Sequence, residues 1–315
     1  MPPQPPPLDA RPHAILIAGP TASGKSAAAL ALAGRFGGTV INADSMQVYR
    51  ELTILTARPA ASELKCVPHR LYGMVPAVQA YSVGQWLAEV NLAIGEAQVA
   101  GRVPILVGGT GLYFKALLEG LAPVPDIPPE VREHWRAQAD ALGPKKLHEA
   151  LAAADPSMAA RLRPTDPQRV VRALEVIDAT GVSLANWQGT ESPSVLDANA
   201  ALKIVIAPER EPLYAAIDAR FAQMVALGAL DEARNVMQLD LSPHLPVMRA
   251  HGVQELIAVL SGAMSREEAI AKGSTETRRY AKRQMTWARR YMADWYWVPD
   301  AEAAMAVTER AFSKP

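Results

Sequence analysis

The chain is predicted to be an α/β protein: a parallel-sheet core interrupted by a helical insertion. Three observations predict it. Short apolar, largely β-branched runs recur with helix-period segments between them: "AILIA" at 14–18, "TVINA" at 39–43, "PILVG" at 104–108 and "KIVIA" at 203–207. Such runs suit strands covered on both faces. A glycine-rich loop joins the first run to an alanine- and leucine-rich helix pattern closed by Gly37-Gly38. Finally, strand signals are missing between the third and fourth runs, where charged helix-type segments stand instead.

The first run enters "GPTASGKS", which sets Gly19, Gly24, Lys25 and Ser26 at the spacing G-x-x-x-x-G-K-[ST]. Glycines let successive backbone N–H groups converge on one anion, lysine adds a point charge, and a helix starting at Ser26 aims its positive end there. Gly19, Pro20, Thr21, Ala22, Ser23, Gly24, Lys25 and Ser26 therefore form a phosphate cradle, and the core is P-loop NTPase-like. A kinase, an NTPase and a diphosphate-using transferase all fit it.

The second run exits into "ADSMQVYR". The carboxyl end of a parallel strand faces the same crevice as the cradle, so Asp44 points at the bound phosphate compound, with Ser45 and Gln47 nearby. The competing reading makes Asp44 the cap of a following helix. Gly84 to Ala100 puts Leu87, Val90, Ile94 and Ala97 on one helical face, with Gly101 as C-cap. Thr110, on the glycine-rich exit of the third run, offers a hydroxyl to a phosphate or leaving oxygen in that crevice.

The texture then changes. "APVPDIPPE" holds four prolines between Pro123 and Pro129, followed by helix-type segments Glu130 to Leu142 and Pro144 to Ala154. The expected organisation is a proline-rich leader at 1–12, a core at 13–121 and 196–315, and a helical insertion at 122–195 serving as lid or clamp. From Glu211 onward the pattern is helical, with Leu213, Ile217, Phe221 and Met224 on one face.

Composition narrows the classes. Formal charge is zero, 32 basic against 32 acidic residues, which excludes an overall basic nucleic-acid binder. The single cysteine, Cys66, excludes a disulfide framework, and the six histidines form no zinc-type cluster. A reducing cytoplasm fits, and no apolar run approaches the roughly 18 residues of a membrane span. The charge is nevertheless segregated: "RRYAKRQMTWARR", 278–290, has six basic residues and no acidic one. Ala281, Met285, Ala288 and Met292 form its apolar face. That leaves Arg279, Lys282, Arg283, Arg289 and Arg290 outward without acidic partners at helical spacing, a surface for a phosphate backbone. Trp287 and Tyr280 are read as packing residues.

No carboxylate ends the "PILVG" strand, and the N-K-x-D base-reading motif is absent. "DATG" at 178–181 closes a helix pattern and reads as a glycine C-cap. A nucleotide switch is excluded.

In order along nearly the whole chain stand "GPTASGKS", "ADSMQVYR", "YSVGQW", "PILVGGTGLYFKALLEGL", "DPQRVVRALEV", "GALDEA" and "TRRYAKRQMTWARR". With these motifs the sequence resembles the tRNA dimethylallyltransferase family. The resemblance implies a cradle that holds dimethylallyl diphosphate with Mg2+ through Ser26. It implies an acceptor adenosine just 3′ of the anticodon in tRNAs reading codons that begin with U. It assigns catalysis to Asp44, Thr110, Lys25 and Arg220, although on pattern alone Arg220 is a solvated helix charge. It implies tRNA contacts at Asp44, Ser45, Met46, Gln47 and Thr110, at Arg132, and along Gln168, Arg169, Val170, Val171 and Arg172. Further contacts follow at Arg279, Lys282, Arg283, Gln284, Trp287 and Arg289. The expected protein is a cytoplasmic monomer. An adenine leaving the anticodon-loop stack costs a few kcal/mol, least in a loop, which suits a crevice roofed by a helical domain.

Three segments depart from the family pattern. "LTILTARP" stands where M-D-I-G-T-A-K-P is common, "PHRLYG" where P-H-H-L-I-D is common, and "GVQE" where G-Y-K-E is common. Roles carried over to 52–58 and 252–255 are open. Two other functions remain compatible with the residues: an ATP-using small-molecule kinase and a non-catalytic RNA-binding protein.

Overall fold

The structure is a computed structural model that describes residues 10–190 and 192–313. In chain order its elements are β1 (Ala14–Ala18), α1 (Lys25–Phe36), β2 (Gly38–Asn42), α2 (Ala61–Cys66), β3 (His69–Arg70), α3 (Val83–Val99), β4 (Val103–Gly108) and α4 (Gly111–Glu119). Then come α5 (Pro129–Ala154), α6 (Pro156–Arg161), α7 (Pro167–Thr180), α8 (Leu184–Gln188), β5 (Ala201–Ile206) and α9 (Arg210–Ala226). The chain closes with α10 (Ala229–Gln238), α11 (Val253–Leu260), α12 (Arg266–Tyr291), β6 (Tyr296–Val298) and α13 (Ala301–Phe312).

The sheet has six strands in the order β3-β2-β4-β1-β5-β6, and every pairing is parallel. Ile15 pairs with Ile105 on one side and Leu202 on the other. Both faces are covered. Leu16, Ile41 and Leu106 pack with Trp86 of α3 and Phe114 of α4, while Ile15, Ile17 and Ile105 pack with Leu32 of α1 and Val307 of α13. This double burial is why the four long strands read as unbroken apolar runs. β3 and β6, with two and three residues, are too short to carry a period. β6 also corrects the expectation of an all-helical stretch after Glu211.

The chain divides into two compact units: one runs to Leu118 and resumes at Val195, the other is Glu119–Ser194. The insertion expected at 122–195 thus has slightly different bounds. Of the leader expected at 1–12, residues 1–9 lie outside the described residues, whereas Pro12 is buried and the Arg11 guanidinium sits 5.0 Å over the Phe312 ring. Within the helical unit, Leu147 and Leu151 of α5 pack on Val170, Ala173 and Leu174 of α7. α5 breaks at Gly143 (φ 73°), between the two segments that the sequence distinguishes. Gly181 closes α7 by donating its N–H to Ile177. Among the described residues no single helix is long and apolar enough to cross a membrane.

One close approach orders the carboxyl edge of the sheet. Gly108, last residue of β4, lies against the backbone leaving β2: a Cβ there would stand 2.0 Å from the Ala43 carbonyl oxygen. No rotamer relieves a clash with backbone. Gly108→Ala is expected to cost about 3 kcal/mol, read as a lowered urea midpoint at unchanged secondary structure.

Candidate active site

Leaving β1, the chain turns through the cradle. Gly19 lies under β5, where a Cβ would sit 2.7 Å from the Ile206 carbonyl oxygen and 2.9 Å from Ser23 Oγ. Ala22 (φ 61°) and Gly24 (φ 83°) are left-handed, and such residues within a turn swing successive N–H groups toward one point. Non-glycine backbone in that region is strained and concentrates at ligand sites. Ser23 Oγ is buried without a partner, a donor that a phosphate oxygen would satisfy. Ala22, Ser23 and Gly24 line a cavity of about 320 Å³ shared with Arg58, His69, Tyr72 and Arg220.

Lys25 donates from Nζ to the Pro20 carbonyl at 3.1 Å. Burial pushes its ammonium down to about 8; the Asp44 charge opposes that shift and Arg220 adds to it. Arg220, which the pattern alone made a solvated helix charge, is instead half-buried on α9 and lines the cavity. Burial lowers its guanidinium, against the attraction of Asp44. Two cations from distant parts of the chain thus share one carboxylate.

No helix follows Asp44. The next one, α2, begins at Ala61, so the helix-cap reading is overturned, and a smaller structural duty replaces it. Asp44 Oδ1 accepts the Met46 N–H at 2.9 Å. The fully buried Asn42 fixes the Asp44 backbone: its Oδ1 accepts the Asp44 N–H, and its Nδ2 donates to the Asp44 and Leu71 carbonyls. The second oxygen of Asp44 lies toward Gly109. Thr110 Oγ1 accepts the Ser45 N–H at 2.9 Å and donates to Ser45 Oγ at 3.2 Å, tying the β4 exit to the β2 exit. Gln47 spends its amide protons on the Thr56 and Ala57 carbonyls, so it shapes the 52–58 loop. Met46 packs into the neighbouring apolar cluster.

The 52–58 loop holds a contact that the sequence did not disclose. The N–H groups of Thr53, Ile54 and Leu55 all donate to the Glu232 carboxylate of α10, at 2.8, 2.7 and 3.0 Å. Glu232 lies within "GALDEA", but no spacing rule connects it to a loop so far away in sequence. This docking carries Ala57 and Arg58 into the cavity wall.

α12 presents the basic segment, with one correction. Arg279 has an acidic partner one turn back, Glu276 at 2.5 Å, and Arg278 bonds Asp218 of α9 at 2.5 Å. Among the described residues Lys282, Arg283 and Arg289 are exposed and have no ion pair. Arg283 lies 5.6 Å over the Tyr280 ring. Trp287 packs against Gly111 and the Tyr291 ring. Gln284 is half-buried and spans two segments of the site. Its Oε1 accepts the Thr21 N–H at 3.0 Å and its Nε2 donates to the Gly109 carbonyl at 2.9 Å.

In the helical unit, Val170 is fully buried in the unit's own core, so it offers no surface to RNA. Val171 is half-buried and Gln168 exposed. Arg169 pairs with Asp166 at 3.3 Å and Arg172 with Glu175 at 3.5 Å, so both charges are partly offset locally. Arg132 is half-buried, and its Nε lacks a hydrogen-bond partner.

A phosphate cradle at the carboxyl edge of a parallel sheet, with a carboxylate and a hydroxyl held beside it, defines an enzyme that acts on a polyphosphate compound. Comparison with known families narrows the class. The family described as IPP transferase matches residues 47–291, and the one described as isopentenyl transferase matches 12–78. The chain belongs to the IPP transferase family. It is 56% identical to the tRNA dimethylallyltransferase of Methylobacterium nodulans, covering 93% of this chain and 97% of that protein. With its counterpart from Rhizobium leguminosarum the identity is 54%, over 89% and 94%. The structure resembles the full-length tRNA isopentenylpyrophosphate transferase of Bacillus halodurans, with TM-score 0.66, 35% identity and coverage of 94% and 93%. It also resembles a eukaryotic dimethylallyltransferase acting on tRNA, with TM-score 0.80, 28% identity and coverage of 96% and 80%.

The depressed Lys25 ammonium gives a pH signature. In the free protein it loses its proton near pH 8, and a bound polyanion raises it again. Binding of an organic diphosphate above pH 8 must therefore take up a proton, and affinity should fall by up to about tenfold per pH unit. Calorimetry in two buffers of different ionisation enthalpy checks this. A flat profile between pH 7.5 and 9.5 would mean that Lys25 does not meet the ligand.

Proposed function

We infer that this protein transfers the dimethylallyl group of dimethylallyl diphosphate to tRNA. Its acceptor is the exocyclic amine of the adenosine 3′-adjacent to the anticodon, in tRNAs that read codons beginning with U. The observation that carries the reading is the orphaned, cation-rich cradle beside Asp44 and Thr110, in a chain of this family. A new bond forms between the allyl carbon and the amine nitrogen. The allyl carbon–oxygen bond breaks, diphosphate leaves with the bonding electrons, and the amine proton passes to a base.

Each group has a task. Lys25, Arg220 and the cradle N–H groups bind the diphosphate and stabilise the charge on its leaving oxygen, electrostatic help of the kind worth several kcal/mol. Asp44 accepts the proton; the Thr110 hydroxyl orients the leaving oxygen or the amine. Mg2+ commonly binds through substrate phosphates and water with few protein ligands. The donor set fits that habit. Ser26 offers one exposed hydroxyl on the cavity wall, and no cluster of three acidic, histidine or cysteine side chains suited to a metal occurs among the described residues. When bound, the ion would supply further charge neutralisation of the diphosphate. We propose that the protein acts as a monomer in the cytoplasm, on the anticodon loop, without a membrane.

The test is mass spectrometry of tRNA nucleosides after incubation with the protein, dimethylallyl diphosphate and Mg2+. A mass gain on adenosine supports the reading. Phosphate transfer from ATP to a small molecule, with no change in tRNA, would replace it with the kinase reading.

Asp44→Asn separates chemistry from structure. The amide oxygen keeps the Met46 bond, so fold and binding should hold, whereas loss of the base should slow single-turnover transfer by roughly 10²–10⁴-fold. A variant that retains most activity would reduce Asp44 to its turn-capping duty.

Salt dependence reads the α12 surface. Lys282, Arg283 and Arg289 contribute up to three phosphate contacts, so their joint replacement by alanine should weaken tRNA binding. It should also flatten the log–log salt slope by about 2 to 3. Donor affinity should stay the same. An unaltered slope in filter-binding titrations would make this face merely solvated.

A further inference from the structure

The three segments that converge on the site, the cradle, the β4 exit and α12, meet at one side chain. Gln284 is 263 residues from Thr21 and 175 from Gly109, yet its carboxamide bonds both. Its orientation is fixed by chemistry, since a backbone N–H only donates and a carbonyl only accepts. The fit is close. A Cβ on Gly109 would stand 2.1 Å from Gln284 Nε2 and 3.4 Å from an Asp44 carboxylate oxygen. The residue after Gly109 is Thr110, and the residues flanking Gln284 in α12 include the exposed Lys282 and Arg283.

We propose that Gln284 is a positioning residue that couples the two substrate sites: RNA seated on α12 fixes the cradle and the Gly109–Thr110 turn through this one amide. The inference rests on the tRNA prenyl-transfer reading. A displacement of α12 pulls on the Thr21 N–H and the Gly109 carbonyl together. A diphosphate that orders the cradle holds α12 in return, and by linkage each substrate must strengthen the other by the same factor. No charged side chain can replace the amide. Glutamate at this position would keep an acceptor for Thr21 but set a carboxylate oxygen against the Gly109 carbonyl.

The test compares wild type with Gln284→Glu and with Gln284→Met, which keeps the length and packing of the side chain but makes neither bond. Affinities for inorganic diphosphate and for an anticodon stem-loop RNA are measured separately and then each in the presence of the other, alongside kcat and KM. In the wild type each ligand should tighten the other by fivefold or more. In both variants each ligand alone should bind within about threefold of wild type, the mutual tightening should vanish, and kcat should fall at least tenfold at saturating substrates. Absence of linkage in the wild type overturns the proposal, as does linkage that survives in a variant whose melting temperature is unchanged. A variant that only raises KM for tRNA, as Arg283→Ala should, would make Gln284 an RNA contact and nothing more. If the wild type transferred nothing to tRNA, the activity reading would fail. The binding linkage would still decide the role of Gln284.

Discussion

The approach of Gly108 to the Ala43 carbonyl is the contact on which the site's geometry depends. The strand order puts β4 between β2 and β1, so the segment carrying Asp44 and the cradle would ordinarily be held apart by a strand end with side chains of its own. Here that strand ends in Gly108-Gly109. With no Cβ at either position the β2 exit closes over β4, the Thr110 N–H reaches the Ala43 carbonyl and the Thr110 hydroxyl reaches Ser45. The same gap admits the Gln284 amide from the far side. Two missing side chains bring a carboxylate, a hydroxyl and a phosphate cradle within one small region.

Electrostatics then determine what that region accepts. Lys25, Arg58 and Arg220 line the cavity against Glu63 in its wall and Asp44 beside it. The depressed Lys25 ammonium and Arg220 guanidinium indicate cations that lack enough neighbouring negative charge, and a polyanion supplies it. The unpartnered Ser23 hydroxyl is the uncharged counterpart of the same deficit. A site built around an uncharged small molecule would leave these groups worse off than water does. An organic diphosphate relieves all of them at once, and its departure as a leaving group occurs where positive charge is already in place.

How much of this was legible in the sequence follows from which interactions are local. The cradle, the four long strands and the position of Asp44 at a strand's carboxyl end are products of short-range pattern, and they stand in the structure within a residue or two of their expected bounds. The helix-cap alternative for Asp44 failed because asparagine, aspartate and serine serve turns as readily as helices. Pattern alone misplaced Arg220, which the family resemblance put at the site, because one face of a 17-residue helix turns toward a cavity that sequence cannot locate. Val170 was misjudged because a motif treated as a contiguous RNA-contact segment alternates, as any helix must, between an outer and a core-facing side. Glu232 and Gln284 act across 177 and 263 residues, and no periodicity records such pairings.

The departures from the family pattern become intelligible in the same way. The loop at 52–58 is held to Glu232 through the main-chain N–H groups of Thr53, Ile54 and Leu55, which any residue except proline supplies. The contact therefore places no demand on the side chains at these three positions. Leu55 stands where glycine is common and Val253 where tyrosine is common, and both are buried in one apolar cluster with Phe221. Arg58 stands where lysine is common and Gly73 where aspartate is common. The Arg58 guanidinium lies where any Cβ on residue 73 would be, 2.2 Å from Nη1, and it bonds the Tyr49 and Arg50 carbonyls at 3.1 Å. The loop is thus held through its backbone, and Arg58, anchored on main-chain carbonyls, keeps a cation in the cavity wall whatever the neighbouring side chains are.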